Sequence, residues 1–303
     1  MNMEIVDNTA LKVMVPYSIA DTMYKSIEKC EVISDYGTRK QVAVYWGHGE
    51  MERLANIFDA DQPNPNVPSV PSPMLRDYDW PGLYTPFQHQ KDTASFLSIR
   101  HRAFCFNEAG TGKTSAAIWA ADYLMNMGLI KKVLVICPLS IMQSAWQADI
   151  FRTAMHRTCG IAHGTSMKRK KILDEGFDFT IINYDGTHVI FQDLVNAKFD
   201  LIIVDEANAY KAASTRRWKT LAKLLTPNTR LYQTRVVPLS PQAMKYYKEL
   251  KNQMLIETAG EQVSAINAAA SLNKLLQISG GAVYTDKHQV VEFDIKPRLN
   301  EMK

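Results

Sequence analysis

Two stretches of the 303-residue chain carry residue types and spacings suited to handling a nucleoside triphosphate. The first is Asn107-Glu108-Ala109-Gly110-Thr111-Gly112-Lys113-Thr114. Glycines at 110 and 112 let the backbone curl so that N–H groups point at phosphate oxygens. A helix starting at the same place adds the partial positive charge of its N-terminus. Lys113 is placed to reach the β- and γ-phosphates, and the Thr114 hydroxyl to reach Mg²⁺. The second stretch is Asp205-Glu206-Ala207-Asn208, at the end of the apolar run Leu201-Ile202-Ile203-Val204. There Asp205 would hold Mg²⁺, directly or through water, and Glu206 would polarise the attacking water as general base. This reading makes Glu206 and Lys113 catalytic and Thr114 and Asp205 metal-binding. It makes Glu108, Ala109, Gly110, Thr111, Gly112, Lys113 and Thr114 the cradle for ATP.

Such residues need a parallel sheet behind them. Between residues 83 and 231, short apolar runs (AFCF, VLVIC, FTIIN, LIIVD) alternate with longer stretches of helical periodicity. Continuous apolar runs suit strands buried on both faces, and the alternation predicts an α/β fold with crossover helices. AFCF leads into the glycine loop and SAAIWAADYLMNMG follows it as a helix stopped by Gly128, the context a phosphate loop requires. The acidic pair comes about ninety residues later, within the same alternating unit.

Upstream, residues 11–59 read as a small α+β module in the order β-α-β-β-α. LKVMVP is a strand, and SIADTMYKSIEK a helix with Ser18 as its N-cap. CEVISDYG and KQVAVYWG form two strands around a turn at Gly37, and GEMERLANIFD closes the module as a helix. Residues 60–82 hold six prolines and predict an extended, semi-rigid linker without helix. After residue 240, PQAMKYYKELKNQMLIETAG and EQVSAINAAASLNKLLQIS predict two helices, the first stopped by Gly260.

At 46% hydrophobic and 22% charged residues the composition is globular, and about 150 residues per domain predicts roughly two domains. The formal charge of +4, from 35 basic and 31 acidic residues, excludes binding by bulk charge alone but permits a nucleic-acid partner. Four cysteines without a Cys-x-x-Cys pair, two of them inside apolar runs, suit a reducing cytoplasm. No apolar run approaches the ~18 residues of a membrane span, and the N-terminus lacks the basic and apolar regions of a signal peptide. The compact appended module and short linkers suggest a bacterial or phage source. The basic run Lys168-Arg169-Lys170-Lys171, and Arg216, Arg217 and Lys219, read as solvated helix faces.

Together these segments resemble a superfamily 2 helicase of the Swi/Snf type, a family of ATPases driven by double-stranded DNA. Phe87-Gln88-His89-Gln90-Lys91-Asp92-Thr93-Ala94-Ser95-Phe96-Leu97 resembles its Q-motif region, which implies that Gln90 reads adenine. Val133 to Trp146, with Cys137-Pro138-Leu139-Ser140, resembles motif Ia, a DNA-backbone contact in the family. Ile181-Ile182-Asn183-Tyr184-Asp185 resembles the next short motif, and Asp205-Glu206-Ala207-Asn208 the DEAH box, with Lys211 and Ser214 continuing the pattern. Residues 11–59 resemble a HepA-related (HARP-type) module, implying help in binding branched DNA. Val237-Pro238-Leu239-Ser240-Pro241, Tyr246 and Tyr247, and Leu275-Leu276-Gln277-Ile278 resemble landmarks of the family's second lobe.

The departures are as informative. Asn107 stands where the strict loop pattern has glycine, and Asn208 replaces the last His of the box. Arg230-Leu231-Tyr232-Gln233-Thr234 is the candidate motif III strand, yet no Thr-Gly-Thr-Pro follows. The sequence reads as if a segment were removed near Leu231–Tyr232, with residues 232–303 a partial, mostly helical second lobe. Motifs IV–VI and an arginine finger have no counterpart in it. The resemblance implies double-stranded or branched DNA as partner and ATP-driven translocation as activity. The alternative is a non-enzymatic nucleotide- or DNA-binding module.

Overall fold

The computed structural model describes residues 3–60, 69–105, 107, 110–210, 212–234, 240–242, 244–246, 248–249, 282–284 and 290–292. Residues 1–105 and 112–233 form one compact unit, and residues 106–111 with 234–303 a second.

The first unit begins with an antiparallel sheet of β1 (Met3–Val6), β2 (Ala10–Pro16), β3 (Cys30–Asp35) and β4 (Arg39–Tyr45), in the order β1-β2-β4-β3. Period-two alternation buries Leu11, Val13 and Val15 of β2 and Val42 and Val44 of β4. They pack on Ala20 and Met23 of α1 (Tyr17–Ser26) and on Met51 and Leu54 of α2 (His48–Ala60). Gly37, at φ +78°, makes the β3–β4 turn, where its N–H donates to the Asp35 carboxylate (2.9 Å). The predicted β-α-β-β-α order is present, with β1 added in front. Ser18 is not the cap of α1: the cap lies two residues earlier, at Pro16, whose locked φ of −58° already sets the entry.

The proline-rich stretch is not a plain extended spacer. Its described part holds a short helix, α3 (Met74–Asp77), with Pro73 immediately before it, where a missing N–H is harmless. Val70 joins the N-terminal core, and Met74 and Tyr78 join the core of the following lobe. Trp46 Nε1 donates to the Pro71 carbonyl (2.9 Å), and the Ser72 and Ser98 hydroxyls bond each other (2.8 Å). Proline density constrains the backbone but says nothing of apolar residues at 70, 74 and 78 that have a surface to bury against.

The lobe then alternates as predicted: α4 (Gln88–Ser98), β5 (Arg102–Cys105), α5 (Lys113–Asn126), β6 (Val133–Cys137), α6 (Ala148–Thr153), β7 (Cys159–Ala162), α7 (Ser166–Asp174), β8 (Phe179–Asn183), α8 (Gly186–Val189), α9 (Phe191–Ala197), β9 (Leu201–Val204), α10 (Arg216–Leu224) and β10 (Arg230–Thr234). The six strands form one sheet in the order β5-β10-β9-β6-β8-β7. The pairings from β10 through β9, β6 and β8 to β7 are all parallel. Val133, Val135, Leu201 and Ile203 face the core with α5, while Leu134, Ile136, Ile202 and Val204 face the core with α9 and α10. This is why those runs lack polar alternation. The protein is thus of the α/β class. No described helix is long and apolar enough to cross a membrane.

β10 corrects the reading of a break at Leu231–Tyr232. The strand runs unbroken through that position, every residue buried, between β5 and β9. Tyr232 pairs with Ile203, and its hydroxyl donates to the Leu97 carbonyl (2.7 Å). Tyr232 and Gln233 therefore belong to the first lobe. The missing Thr-Gly-Thr-Pro removes a familiar turn, not the strand that precedes it.

The module and lobe share a polar seam. Arg230 reaches Glu52 of α2 (2.5 Å) and the Arg100 carbonyl (3.2 Å). His101 also meets Glu52 (3.1 Å), and Arg100 meets Asp59 (3.1 Å). His48 lies buried against the Tyr123 ring, and neither of its ring nitrogens has a hydrogen-bond partner among the described residues. Burial pushes the His48 imidazole down to about 4; Arg230 and His101 act in the same direction, and Glu52 opposes them. A histidine kept neutral in the fold contributes stability that is full above pH ~6.5 and is lost as pH falls toward its folded value. Urea unfolding at pH 5 should therefore show about 2 kcal/mol less stability than at pH 7.5 from this group, a difference absent in His48→Gln.

In the second unit, Met244 N–H donates to the Ser240 carbonyl (2.8 Å), starting a helical stretch at 241. β11 (Ala282–Tyr284) and β12 (Val290–Glu292) pair antiparallel, a hairpin the mostly helical expectation did not include. Gly260, Tyr247 and Leu275–Ile278 lie outside the described residues, as does the predicted helix over 261–279.

Candidate functional site

The phosphate-loop candidates sit where β5 gives way to α5. Gly110 and Gly112 have φ of +81° and +77°, two left-handed positions that residues with a Cβ occupy only at a cost. Gly112 is the cap of α5, and Lys113 and Thr114 are its first two residues, both half-buried. A Cβ on Gly112 would also collide with the side-chain amide of Gln90. Gln90, in the first turn of α4, accepts a hydrogen bond from Phe87 N–H through Oε1 (3.0 Å), so Nε2 is the end turned to Gly112. Gln90 of α4 and Gly112 at the head of α5 are thereby brought together. Of the remaining candidates, Glu108 and Ala109 lie outside the described residues, as does Lys211.

α5 is rigidly seated. Residues 116–125 are all buried, and Asp122 inside the helix accepts from Tyr78 (2.6 Å), His156 (2.8 Å) and Arg157 (2.5 Å). The helix start carrying Lys113 and Thr114 is therefore fixed from behind.

The acidic pair stands at the end of β9. Asp205 N–H donates to the Ile136 carbonyl (2.9 Å), which extends the strand pairing by one residue. Its carboxylate is held on both oxygens: Oδ2 accepts from Trp146 Nε1 (2.9 Å) and Oδ1 from Glu206 N–H (2.9 Å). Trp146 is fully buried in a π-helical turn over Met142–Gln147, within the segment that resembles motif Ia. Glu206 has φ +48°, left-handed for a residue with a Cβ. Tyr184 steadies that turn, its hydroxyl donating to the Asp205 carbonyl (2.6 Å) and lying 3.4 Å from the Glu206 carbonyl. Burial, then the charges of Asp205 and Glu206, push the Tyr184 phenol well above its ordinary value, so it remains a donor. The same causes push the Cys137 thiol up and keep it neutral beside the carboxylates.

Arg217 completes the brace. It bonds Asp185 (2.7 and 3.0 Å) and lies over the Tyr184 ring, 5.4 Å from its centroid. The solvated-face reading holds for Lys168, Lys170 and Lys171, which are exposed, but not for Arg169. Arg169 is buried, donating to the carbonyls of Ala162 (2.5 Å) and Gly164 (3.0 Å) and to the Asn183 side chain (3.1 Å). It ties α7 to the ends of β7 and β8. Motif reading includes Trp146 and Tyr184 in its segments but assigns neither them nor Arg217 a role at the acid turn. A buried tryptophan must place its N–H somewhere, and that requirement is the signal Trp146 carries in the sequence.

The donors suit a metal delivered with a nucleotide. Mg²⁺ is commonly held by one or two carboxylates, with phosphates and waters completing the octahedron. Asp205 supplies an oriented carboxylate and Thr114 a hydroxyl. Among the described residues no cluster of three or more His, Cys, Asp or Glu forms an all-protein cage.

Comparison with known proteins identifies the family of the lobe that carries these residues. The family model "Type III restriction enzyme, res subunit" matches residues 83–235, just over half of the chain. The chromatin-remodeling ATPase INO80 of Schizosaccharomyces pombe is 28% identical over 182 residues, which is 55% of this chain and 10% of that protein. A Drosophila melanogaster homologue of the SWI/SNF-related, matrix-associated, actin-dependent regulator of chromatin, subfamily A containing DEAD/H box 1, is 27% identical over 172 residues, 52% of this chain and 19% of that one. The chain thus spans a fifth or less of the length of these relatives. The SWI2/SNF2 ATPase core of Sulfolobus solfataricus in complex with dsDNA aligns at a TM-score of 0.46 with 23% identity, over 55% of this chain and 34% of that one. On the family match, the chain belongs to the helicase-like family of the type III restriction enzyme res subunit, and the curated relatives it resembles over half of its length are Swi/Snf-type ATPases.

Proposed function

We propose that this chain binds Mg-ATP at the start of α5 and hydrolyses it in response to double-stranded or branched DNA. The observation that carries the reading is the acid turn: Asp205 oriented on both oxygens and Glu206 held left-handed beside it, on a strand one removed from the strand that leads into the glycine loop. Gln90 reads the adenine edge. The α5 N-terminus receives the phosphates, and Lys113 neutralises charge on the β- and γ-oxygens. A bound Mg²⁺ would add charge neutralisation at the phosphates. Thr114 and Asp205 would hold it, and Glu206 takes the proton of the attacking water.

Lys113→Ala should weaken fluorescent-ATP binding by about 10- to 100-fold, the worth of one charge-assisted contact, without loss of the folded state. Unchanged affinity would remove the phosphate-loop assignment. The sequence after β10, Arg235-Val236-Val237-Pro238 in place of Thr-Gly-Thr-Pro, favours low turnover and keeps a second reading, a nucleotide- or DNA-binding module without hydrolysis. ATPase rates with and without duplex DNA separate the two.

A further inference from the structure

The side of α10 turned away from the core is basic. Arg216, Lys219 and Lys223 follow one another at spacings of three and four residues, which aligns them along one side of a helix, while Leu221 and Leu224 are buried. With His188 of α8 and Ser214 they line a cleft of about 490 Å³ that has no carboxylate in its described lining. All three cations are exposed, and none has an ion-pair partner among the described residues. The other cations nearby differ: Lys170 is bridged to Asp174 (3.1 Å) and Asp193 (3.6 Å), and Arg217 to Asp185.

Three uncompensated charges on one helix side repel each other. An anion with several charges at regular intervals relieves that repulsion. Arg216 to Lys223 spans about 10 Å of helix axis, the axial rise of about three phosphate-to-phosphate steps of one strand. We propose that this cleft seats the phosphate backbone of duplex DNA, with Arg216, Lys219 and Lys223 each meeting a phosphate. Its ligand rests on the DNA-dependent reading above, while its position rests on α10 and the cleft alone.

The test uses the full chain and a fluorescein-labelled 20-base-pair duplex, without nucleotide, from 50 to 200 mM KCl. Neutralising three phosphate contacts should make the slope of log affinity against log salt shallower by about 2.7, and weaken binding at 100 mM at least tenfold. The variant is Arg216→Gln/Lys219→Gln/Lys223→Gln, with Lys219→Gln/Lys223→Gln as a milder companion should the triple change unfold the chain; the companion should shift the slope by about 1.8. Equal affinity and slope in folded variant and wild type would overturn the proposal. So would a wild-type chain that binds no duplex. Fluorescent-ATP binding, read separately, is unaffected by either result and stands or falls with Lys113.

Discussion

Glu206→Gln is expected to leave Mg-ATP affinity unchanged and to lower hydrolysis by about 10²–10⁴, the usual worth of a positioned general base. The substitution preserves side-chain size, and it preserves the backbone contacts that shape the turn. The amide of residue 206 still donates to Asp205 Oδ1, and Tyr184 still donates to the Asp205 carbonyl. Both residues meet the same left-handed backbone at φ +48°, so the pair isolates the carboxylate. Single-turnover hydrolysis at saturating ATP is the measurement, because it reads the chemical step even where product release is slow. A drop of less than tenfold would make Glu206 a turn residue and leave the attacking water to another group.

Arg230→Ala is expected to cost about 3 kcal/mol of stability, the lower end of what breaking a buried ion pair costs. The Arg230 side chain is 6% exposed and that of Glu52 19%, so water compensates little for a lost partner. His101 keeps one contact on Glu52, which is why the lower end applies. The truncation also leaves the Arg100 carbonyl without the Arg230 donor. Urea unfolding of the whole chain measures this, with Arg230→Met as the control that keeps the stem and removes the charge. A loss below 1 kcal/mol in both would show that the seam between module and lobe is held by its apolar contacts, with Ile99 of the lobe packed into the N-terminal core.

The strands of the lobe are legible because burial on both faces leaves a plain mark: VLVIC and LIIV are apolar without interruption, and FTIIN holds only Thr180 and its terminal Asn183 as polar residues. The glycine loop is legible because few residues tolerate φ near +80°. β10 is harder, since Arg230, Gln233 and Thr234 are polar yet buried, Arg230 through its pairing with an α2 residue 178 positions away. The brace around Asp205 was hidden for a related reason. Trp146, Tyr184 and Arg217 come from three separate crossovers and act through contacts that only the sheet order brings about. The seating of residues 69–78 was masked by prolines, whose backbone signal is stronger than that of the isolated apolar side chains between them.

The left-handed turn at Glu206 also bears on how this chain responds to directed evolution. A residue with a Cβ at that φ carries a penalty of about 1–2 kcal/mol that glycine escapes and asparagine reduces. A library screened only for survival of heating would therefore drift toward glycine or asparagine at 206. The winners would melt later and score as improvements while having discarded the carboxylate. Screens for robustness in this lobe must hold position 206 constant, or couple every heat step to a readout of nucleotide turnover.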